Sequence, residues 1–327
     1  MKAILVNADQ SLRWDNVPDP VCAPDGCIVK IEAAGINRAD LLQRAGDYPP
    51  PPGCPDWMGL EIAGTITEIG PEAAEKSSWK VGDRVCALLG GGGYAEYVAV
   101  RYDMLMPIPA GSSMIEAAAM PEAFATAYLN LFIEGKAQPG DTLLITGGNS
   151  GLASVTIRMA KAFGLRVITT VRGAEKVAAI ADLGADVVVD TTKEALDQVL
   201  QQQLQEGHPV DVAIDCLGGE IMGKCIHYLK HGARWIMIAA LAGQKTEIDL
   251  KNIYVRNVRI IGSTLRSRAP EVKAQILADL VKNVWPKVAS GAIKPTIYKA
   301  LPIEEAEAAQ DLLYKSQSVG KVVLTVK

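Results

Sequence analysis

The chain is poor in the residues that mark several protein classes. Aromatics make up only 5% of its 327 residues, with three phenylalanines, and there are only three histidines. With so few rings and no basic patch, a nucleic-acid face, which needs stacking groups on a cationic surface, is not expected. A net charge of −4 gives no electrostatic reason for nucleic acid or an anionic membrane surface as partner. No stretch reaches the roughly 20 apolar residues of a membrane span. The first apolar run, 3–6, is cut off by Asn7 and Asp9, too short for a signal-peptide core. A cytoplasmic location is therefore the expectation. The six cysteines (Cys22, Cys27, Cys54, Cys86, Cys216, Cys225) contain no C-x-x-C pair, so neither a disulfide framework nor a thiolate metal cluster is expected. His227 and His231 stand four apart on an expected helix, a spacing that serves two metal ligands or, more commonly, a solvated helix end.

What is present suits a two-domain enzyme, because 327 residues exceed the size at which a single core keeps growing. Short β-branched or alternating runs at 2–6, 27–34, 62–69, 81–88 and 94–100 are separated by Gly, Pro and Asp. Residues 35–46 read as a short helix after a turn. Residues 48–55, YPPPPGCP, form a stiff loop that can display Tyr48. From Ser112 the period becomes helical. Ser113 and Glu116 have the spacing of a capping box, and a helix over 122–134 follows Pro121. Further on, strands at 166–171, 186–189, 210–215, 234–239 and 258–262 alternate with helices, the pattern of a parallel sheet covered on both faces. Beyond 262 come a helix over 271–290 that Pro286 kinks or ends, a helix over 303–315, and a last strand at 321–326. That strand is expected to rejoin the first domain. The expected organisation is thus a β-rich domain of 1–121 and 264–327, interrupted by a nucleotide-binding domain of 122–263.

The most telling stretch is 142–176. An apolar run enters a glycine turn, leaves as an amphipathic helix, and a second strand ends on basic residues. This is the order that seats a pyrophosphate on a helix N-terminus. The fingerprint G-x-G-x-x-G is matched loosely by Gly148-Asn149-Ser150-Gly151-Leu152-Ala153. Ser150 takes the second glycine's place with a hydroxyl suited to phosphate, and Ala153 the third. The helix is expected to bury Leu152, Val155, Met159 and Phe163, with Gly164 as its left-handed cap. The second strand ends Thr169-Thr170-Val171-Arg172-Gly173, with Lys176 following. A site for NAD usually carries Asp or Glu there. Two cations in its place favour the 2′-phosphate of NADPH.

Motifs along nearly the whole chain resemble the zinc-independent quinone oxidoreductases (zeta-crystallin-like) of the medium-chain dehydrogenase/reductase superfamily. They are Gly35-Ile36-Asn37-Arg38-Ala39-Asp40-Leu41, the YPPPPG loop, Gly59-Leu60-Glu61, Gly82-Asp83-Arg84-Val85, and Gly91-Gly92-Gly93-Tyr94-Ala95-Glu96-Tyr97. Pro121-Glu122-Ala123, Asp215-Cys216-Leu217-Gly218-Gly219, Leu265-Arg266-Ser267-Arg268 and Gly320-Lys321 continue the series. The resemblance implies an α/β protein with a GroES-like β-rich catalytic domain and a doubly wound Rossmann cofactor domain. Zinc-dependent relatives place a ligand Cys in the segment equivalent to 35–40 and a His before Glu61. Here the segment has no Cys and Leu60 stands at the His position, so no metal is expected.

The implied activity is NADPH-dependent reduction of small quinones. The alternatives are reduction of enones or 2-alkenals, and a non-catalytic NADPH-binding role. By resemblance, Asn37 and Asp40 lie near the nicotinamide and Tyr48 faces the substrate as a hydrogen-bond donor or packs on its own loop. Thr126 touches the nicotinamide side, Ile238, Ala240 and Leu241 wall its ring, and Lys321 reaches the cofactor from the last strand. The family is commonly dimeric, and residues 255–261 are expected to form the edge strand that pairs in a homodimer.

Overall fold

The computed structural model describes all 327 residues. Seven strands come first: β1 (Lys2–Val6), β2 (Leu12–Asn16), β3 (Gly26–Gly35), β4 (Glu61–Ile69), β5 (Arg84–Leu88), β6 (Tyr97–Arg101) and β7 (Leu105–Pro107). Six follow: β8 (Thr142–Ile145), β9 (Arg166–Val171), β10 (Val187–Asp190), β11 (Val212–Asp215), β12 (Arg234–Met237) and β13 (Arg259–Gly262). Two close the chain, β14 (Ile297–Pro302) and β15 (Lys321–Thr325). One compact unit comprises Met1–Ala125, Arg266–Gly291 and Pro295–Lys327, and the other Thr126–Leu265 with Ala292–Lys294.

In the β-rich unit the long strand β3 is the hub, pairing antiparallel with β4, β6 and β15. Its residues are buried except Lys30 and Glu32, as a central strand requires. β4, β5 and β7 continue the sheet on one side, and β14 lies parallel to β15 on the other. The last strand does rejoin the first domain. Strands β2, β7 and β14 were not expected. β5 starts only at Arg84 because residues 80–83 make a tight turn, in which Lys80 N donates to the Asp83 carboxylate. The helix expected over 271–290 is two, Pro270–Asn283 and Trp285–Ala289. Pro286 sits in the first turn of the second helix, where its missing N–H costs nothing.

The second unit is a six-stranded parallel sheet in the order β10-β9-β8-β11-β12-β13. Leu144, Ile168, Val189, Ala213 and Trp235 from five of these strands join Leu200, Ile226 and Leu229 in one core. The order reverses between β8 and β11, which opens a crevice at the carboxyl ends of the strands. The helix Gly151–Ala162 buries Val155 and Met159 as expected, but Leu152 and Phe163 stay half-exposed. Ala153, Ser154, Thr156, Ile157 and Ala160 are buried instead, because small side chains let this central helix sit close to the sheet.

Three other expectations need correction here. The helix over 122–134 is α-helical only for Pro121–Tyr128 and then widens to π turns over Leu129–Glu134. Asn130 Nδ2 donates to the Thr126 carbonyl at 2.8 Å, competing for an acceptor of the regular helix. The edge strand is Arg259–Gly262 rather than 255–261, since residues 255–256 end the helix Leu250–Arg256. His227 lies in a tight turn after the helix Ile221–Cys225, and His231 lies beyond it beside Asn257, so the two share no helix face. No helix is long and apolar enough to cross a membrane.

Candidate active site

In the parallel unit, the loops leaving β8, β9, β11 and β12 gather the residues expected to hold a dinucleotide. The turn after β8 is fixed by threonines of β9. Gly147 N donates to Thr170 Oγ1 at 3.1 Å, and Gly148 N to the Thr170 carbonyl at 2.7 Å. A side chain at Gly148 would meet Thr169 Oγ1 at 2.5 Å, so glycine is required for this approach to β9. Ser150 is the N-cap of the helix and its Oγ accepts from Ala153 N at 3.1 Å, leaving the hydroxyl proton to donate. Gly151 and Leu152 begin the helix, where backbone N–H groups have no intrahelical acceptor. Donors plus the positive end of the helix dipole, beside Asn149 in the same turn, fit a pyrophosphate.

At the end of β9, Arg172 is exposed and Lys176 half-buried on the helix Ala174–Ala179. Neither takes part in an ion pair, and Glu175 bonds to neither. A carboxylate from β10 also reaches this turn. Asp190 accepts from Gly173 N at 2.9 Å and from Thr192 N and Oγ1, and these bonds hold its carboxyl below the usual range. After β11, Asp215 is fully buried and accepts from Thr146 Oγ1, Leu217 N and Gly218 N. The β12 loop is tied to this one. Ile238 N donates to the Asp215 carbonyl, Leu241 N to that of Cys216, and Ala242 N to that of Leu217. Ile238 is half-buried, while Ala240 and Leu241 are exposed, giving the crevice an apolar lip. Thr126 is half-buried in the helix Pro121–Tyr128.

The β-rich unit carries a buried polar centre. Glu61 is fully buried and Lys321 is 3% exposed. The Lys321 ammonium donates to Glu61 Oε1, to Asn37 Oδ1 at 2.7 Å and to the Ile36 carbonyl at 2.9 Å. Asn37 Nδ2 in turn donates to Glu61 Oε1 at 2.9 Å, and Glu122 N to Glu61 Oε2 at 2.8 Å. All three protons of the ammonium are thus donated within the protein. In this arrangement Lys321 acts as a structural cation that fixes the Asn37 amide.

Asp40 is also sealed from solvent. It accepts from Asn37 N at 2.7 Å, Gly59 N at 3.2 Å and the Tyr94 hydroxyl at 2.8 Å, so it touches protein groups only. Burial pushes its carboxyl up to about 6 against the pull of these donors. Gly59 has φ +109°, and a side chain there would strike Gly93 at 2.5 Å. Glycine is required at Gly59, and at Gly93 a side chain would crowd Gly59 and Ile62 at 3.0 Å.

Tyr48 is half-buried in the proline-rich loop, with the Arg266 guanidinium 4.6 Å from its ring centroid. Burial raises its phenol, while Arg266 pulls it the other way. Sequence reasoning missed Tyr94, Asp190, Asp215 and Arg266 as individual actors. Tyr94, Asp215 and Arg266 were signalled only by their places in shared motifs, and nothing in the sequence singled out Asp190. Leu60 is buried, and nowhere do three His, Cys, Asp or Glu side chains come together as a metal site would need.

Comparison with known proteins agrees with this architecture. Residues 23–110 match the alcohol dehydrogenase GroES-like domain, and 151–283 match the family described as zinc-binding dehydrogenase. A quinone oxidoreductase-like protein 2 homolog from Nematostella vectensis is 30% identical over 303 residues, 91% of this chain and 81% of that protein. The quinone oxidoreductase of Thermus thermophilus, whose structures include a complex with NADPH, superposes with a TM-score of 0.81 at 29% identity, covering 100% of both chains. An NAD-dependent alcohol dehydrogenase superposes with a TM-score of 0.83 at 27% identity, again over 100% of both. The chain belongs to the quinone oxidoreductases of the medium-chain dehydrogenase/reductase superfamily. It is an oxidoreductase with a GroES-like domain, a Rossmann domain and a nicotinamide cofactor.

Proposed function

We propose that the protein is an NADPH-dependent quinone reductase acting on small quinones. The observation that carries the choice of cofactor is the pair Arg172 and Lys176, unpaired at the end of β9 where a carboxylate would otherwise repel a 2′-phosphate. The named quinone oxidoreductases among its relatives support the substrate class. NADPH bound in the crevice supplies the hydride. Gly148, Asn149, Ser150, Gly151 and Leu152 hold the pyrophosphate, Arg172 and Lys176 the 2′-phosphate, and Thr126, Ile238, Ala240 and Leu241 the nicotinamide end. Asn37 orients through an amide locked by Glu61 and Lys321, and Asp40 acts by holding Asn37 N and Gly59 N in place. Tyr48 donates to the acceptor oxygen as negative charge develops there. Holding two reactants in place supplies up to about 7–11 kcal/mol, enough for acceptors as reactive as quinones.

The test is cofactor oxidation by absorbance, NADPH against NADH, over a panel of quinones and 2-alkenals. The double variant Arg172→Ala/Lys176→Ala is expected to raise KM for NADPH more than for NADH. Equal effects refute the phosphate assignment, and turnover confined to alkenals refutes the quinone. A homodimer formed through the free edge of β13 belongs to the same proposal. Leu250, Tyr254 and Ile260 are exposed there at 73%, 68% and 44%. Sedimentation as a monomer at micromolar concentration counts against it.

A further inference from the structure

Arg266 is a buried cation without an anion. It is 8% exposed, and every acceptor it meets is neutral. Nε and Nη2 donate to the Gly90 carbonyl at 3.0 and 2.7 Å, Nη2 also to Gln43 Oε1 at 2.8 Å, and Nη1 to the Tyr48 carbonyl at 3.2 Å. The guanidinium lies over the Tyr48 ring at 4.6 Å. A second cation stands close, since Lys273 Nζ donates to the Arg266 carbonyl at 3.2 Å. Burial lowers the Lys273 ammonium below its ordinary range, the effect expected of a charge held away from water.

Burying a charge without a counter-ion is costly, and most folds avoid it. The other charged and titratable groups do not cancel this one. Glu122 is the carboxylate whose field reaches both Tyr48 and Lys273. Cys54 feels both cations but burial pushes its thiol up, which keeps it neutral. Arg101, whose charge also reaches Lys273, is bonded to Asp103 and Glu271. Two cations against one carboxylate leave a positive field behind the Tyr48 ring.

We propose that Arg266, seconded by Lys273, makes the Tyr48 loop an oxyanion subsite, favouring acceptors whose oxygen becomes negative on reduction. Arg266 is a positioning residue, acting through the Tyr48 ring and loop and through its field. The identity of the oxyanion rests on the quinone reading. Hydride brings two electrons and one proton to the quinone, leaving a hydroquinone monoanion. Its charged oxygen takes the second proton from the Tyr48 hydroxyl, which water restores. The positive field stabilises the monoanion and the phenolate of Tyr48 alike, and does little for the neutral quinone, so it lowers the barrier rather than strengthening ground-state binding.

A redox-inert mimic, 4-nitrophenol, reads the subsite without turnover because its phenolate and phenol absorb differently. Wild type is expected to bind it as the phenolate at a pH where the free compound is largely protonated. Arg266→Gln is expected to weaken phenolate binding at least tenfold and to lower kcat for quinones while KM for NADPH holds. Arg266→Lys, which keeps the charge, should recover part of both losses. Lys273→Met keeps every bond from Arg266 to the loop carbonyls and should weaken phenolate binding a few-fold, which serves if Arg266→Gln does not fold. Phenolate affinities equal among wild type, Arg266→Gln and Lys273→Met, or no phenolate bound by wild type, overturn the proposal. Phenolate binding that follows the charge in a protein that reduces no quinone keeps the subsite and removes the quinone reading.

Discussion

Replacing Lys321 by methionine probes the buried centre of the β-rich unit at its weakest point. The ammonium satisfies three acceptors, the Glu61 carboxylate, Asn37 Oδ1 and the Ile36 carbonyl, with 3% of the residue exposed. Methionine fills most of the volume but strands a fully buried carboxylate with two donors left, Asn37 Nδ2 and Glu122 N. Removing one partner of a buried pair costs about 3–5 kcal/mol. Glu61→Gln strands the cation instead and should cost a similar amount. The double variant removes both charges, so its loss should fall short of the sum of the singles by about 2 kcal/mol or more. Urea unfolding followed by tryptophan fluorescence reads this unit well, because Trp14, Trp57, Trp79 and Trp285 lie in it and only Trp235 in the other. A loss under about 1 kcal/mol in Lys321→Met, or strict additivity in the double variant, refutes the reading of Lys321 as a structural cation.

The remaining predictions concern single groups. The Asp40 carboxyl, raised by burial to about 6, binds a proton more tightly folded than unfolded, so its share of stability is present at low pH and lost as pH rises from about 4 through 6. That share is roughly 3 kcal/mol, and unfolding midpoints of Asp40→Asn should be flatter than wild type across this window; parallel profiles refute it. Tyr48→Phe should lower kcat for quinones at least tenfold with KM for NADPH unchanged, and unchanged turnover makes Tyr48 a packing residue. Gly148→Ala pushes on Thr169 Oγ1, which is itself bonded to the Ile145 carbonyl, and should cost about 1–3 kcal/mol in thermal unfolding and weaken NADPH binding.

Local signals carried what was legible. The strand, glycine turn and helix of 142–164 are written in adjacent residues, and so is the capping box of Ser113 and Glu116, which the structure closes in both directions. The Gly164 cap, at φ +79°, is equally local. Short edge strands escaped, because β2, with the sequence LRWDN, alternates over only four residues with no side chain fully buried, and exists by pairing with β1. Long-range partners escaped for another reason. Asp40 meets Tyr94 across 54 residues and Glu61 meets Lys321 across 260, and no period in a sequence encodes such a meeting. One sign was available for Lys321. It opens the run KVVLT, a strand buried at nearly every position, where a lysine needs a carboxylate.

The placement of β15 between β14 and β3 sets a timetable for synthesis. Glu61 leaves the ribosome 260 residues before its counter-charge. At about 5–20 residues per second, that is a delay on the order of ten to fifty seconds. The whole Rossmann half is synthesised within it, while the nascent N-terminal sheet must wait with a bare carboxylate at its heart. Translation errors that lose the final strand therefore leave Glu61 without its counter-charge and β3 without its partner β15.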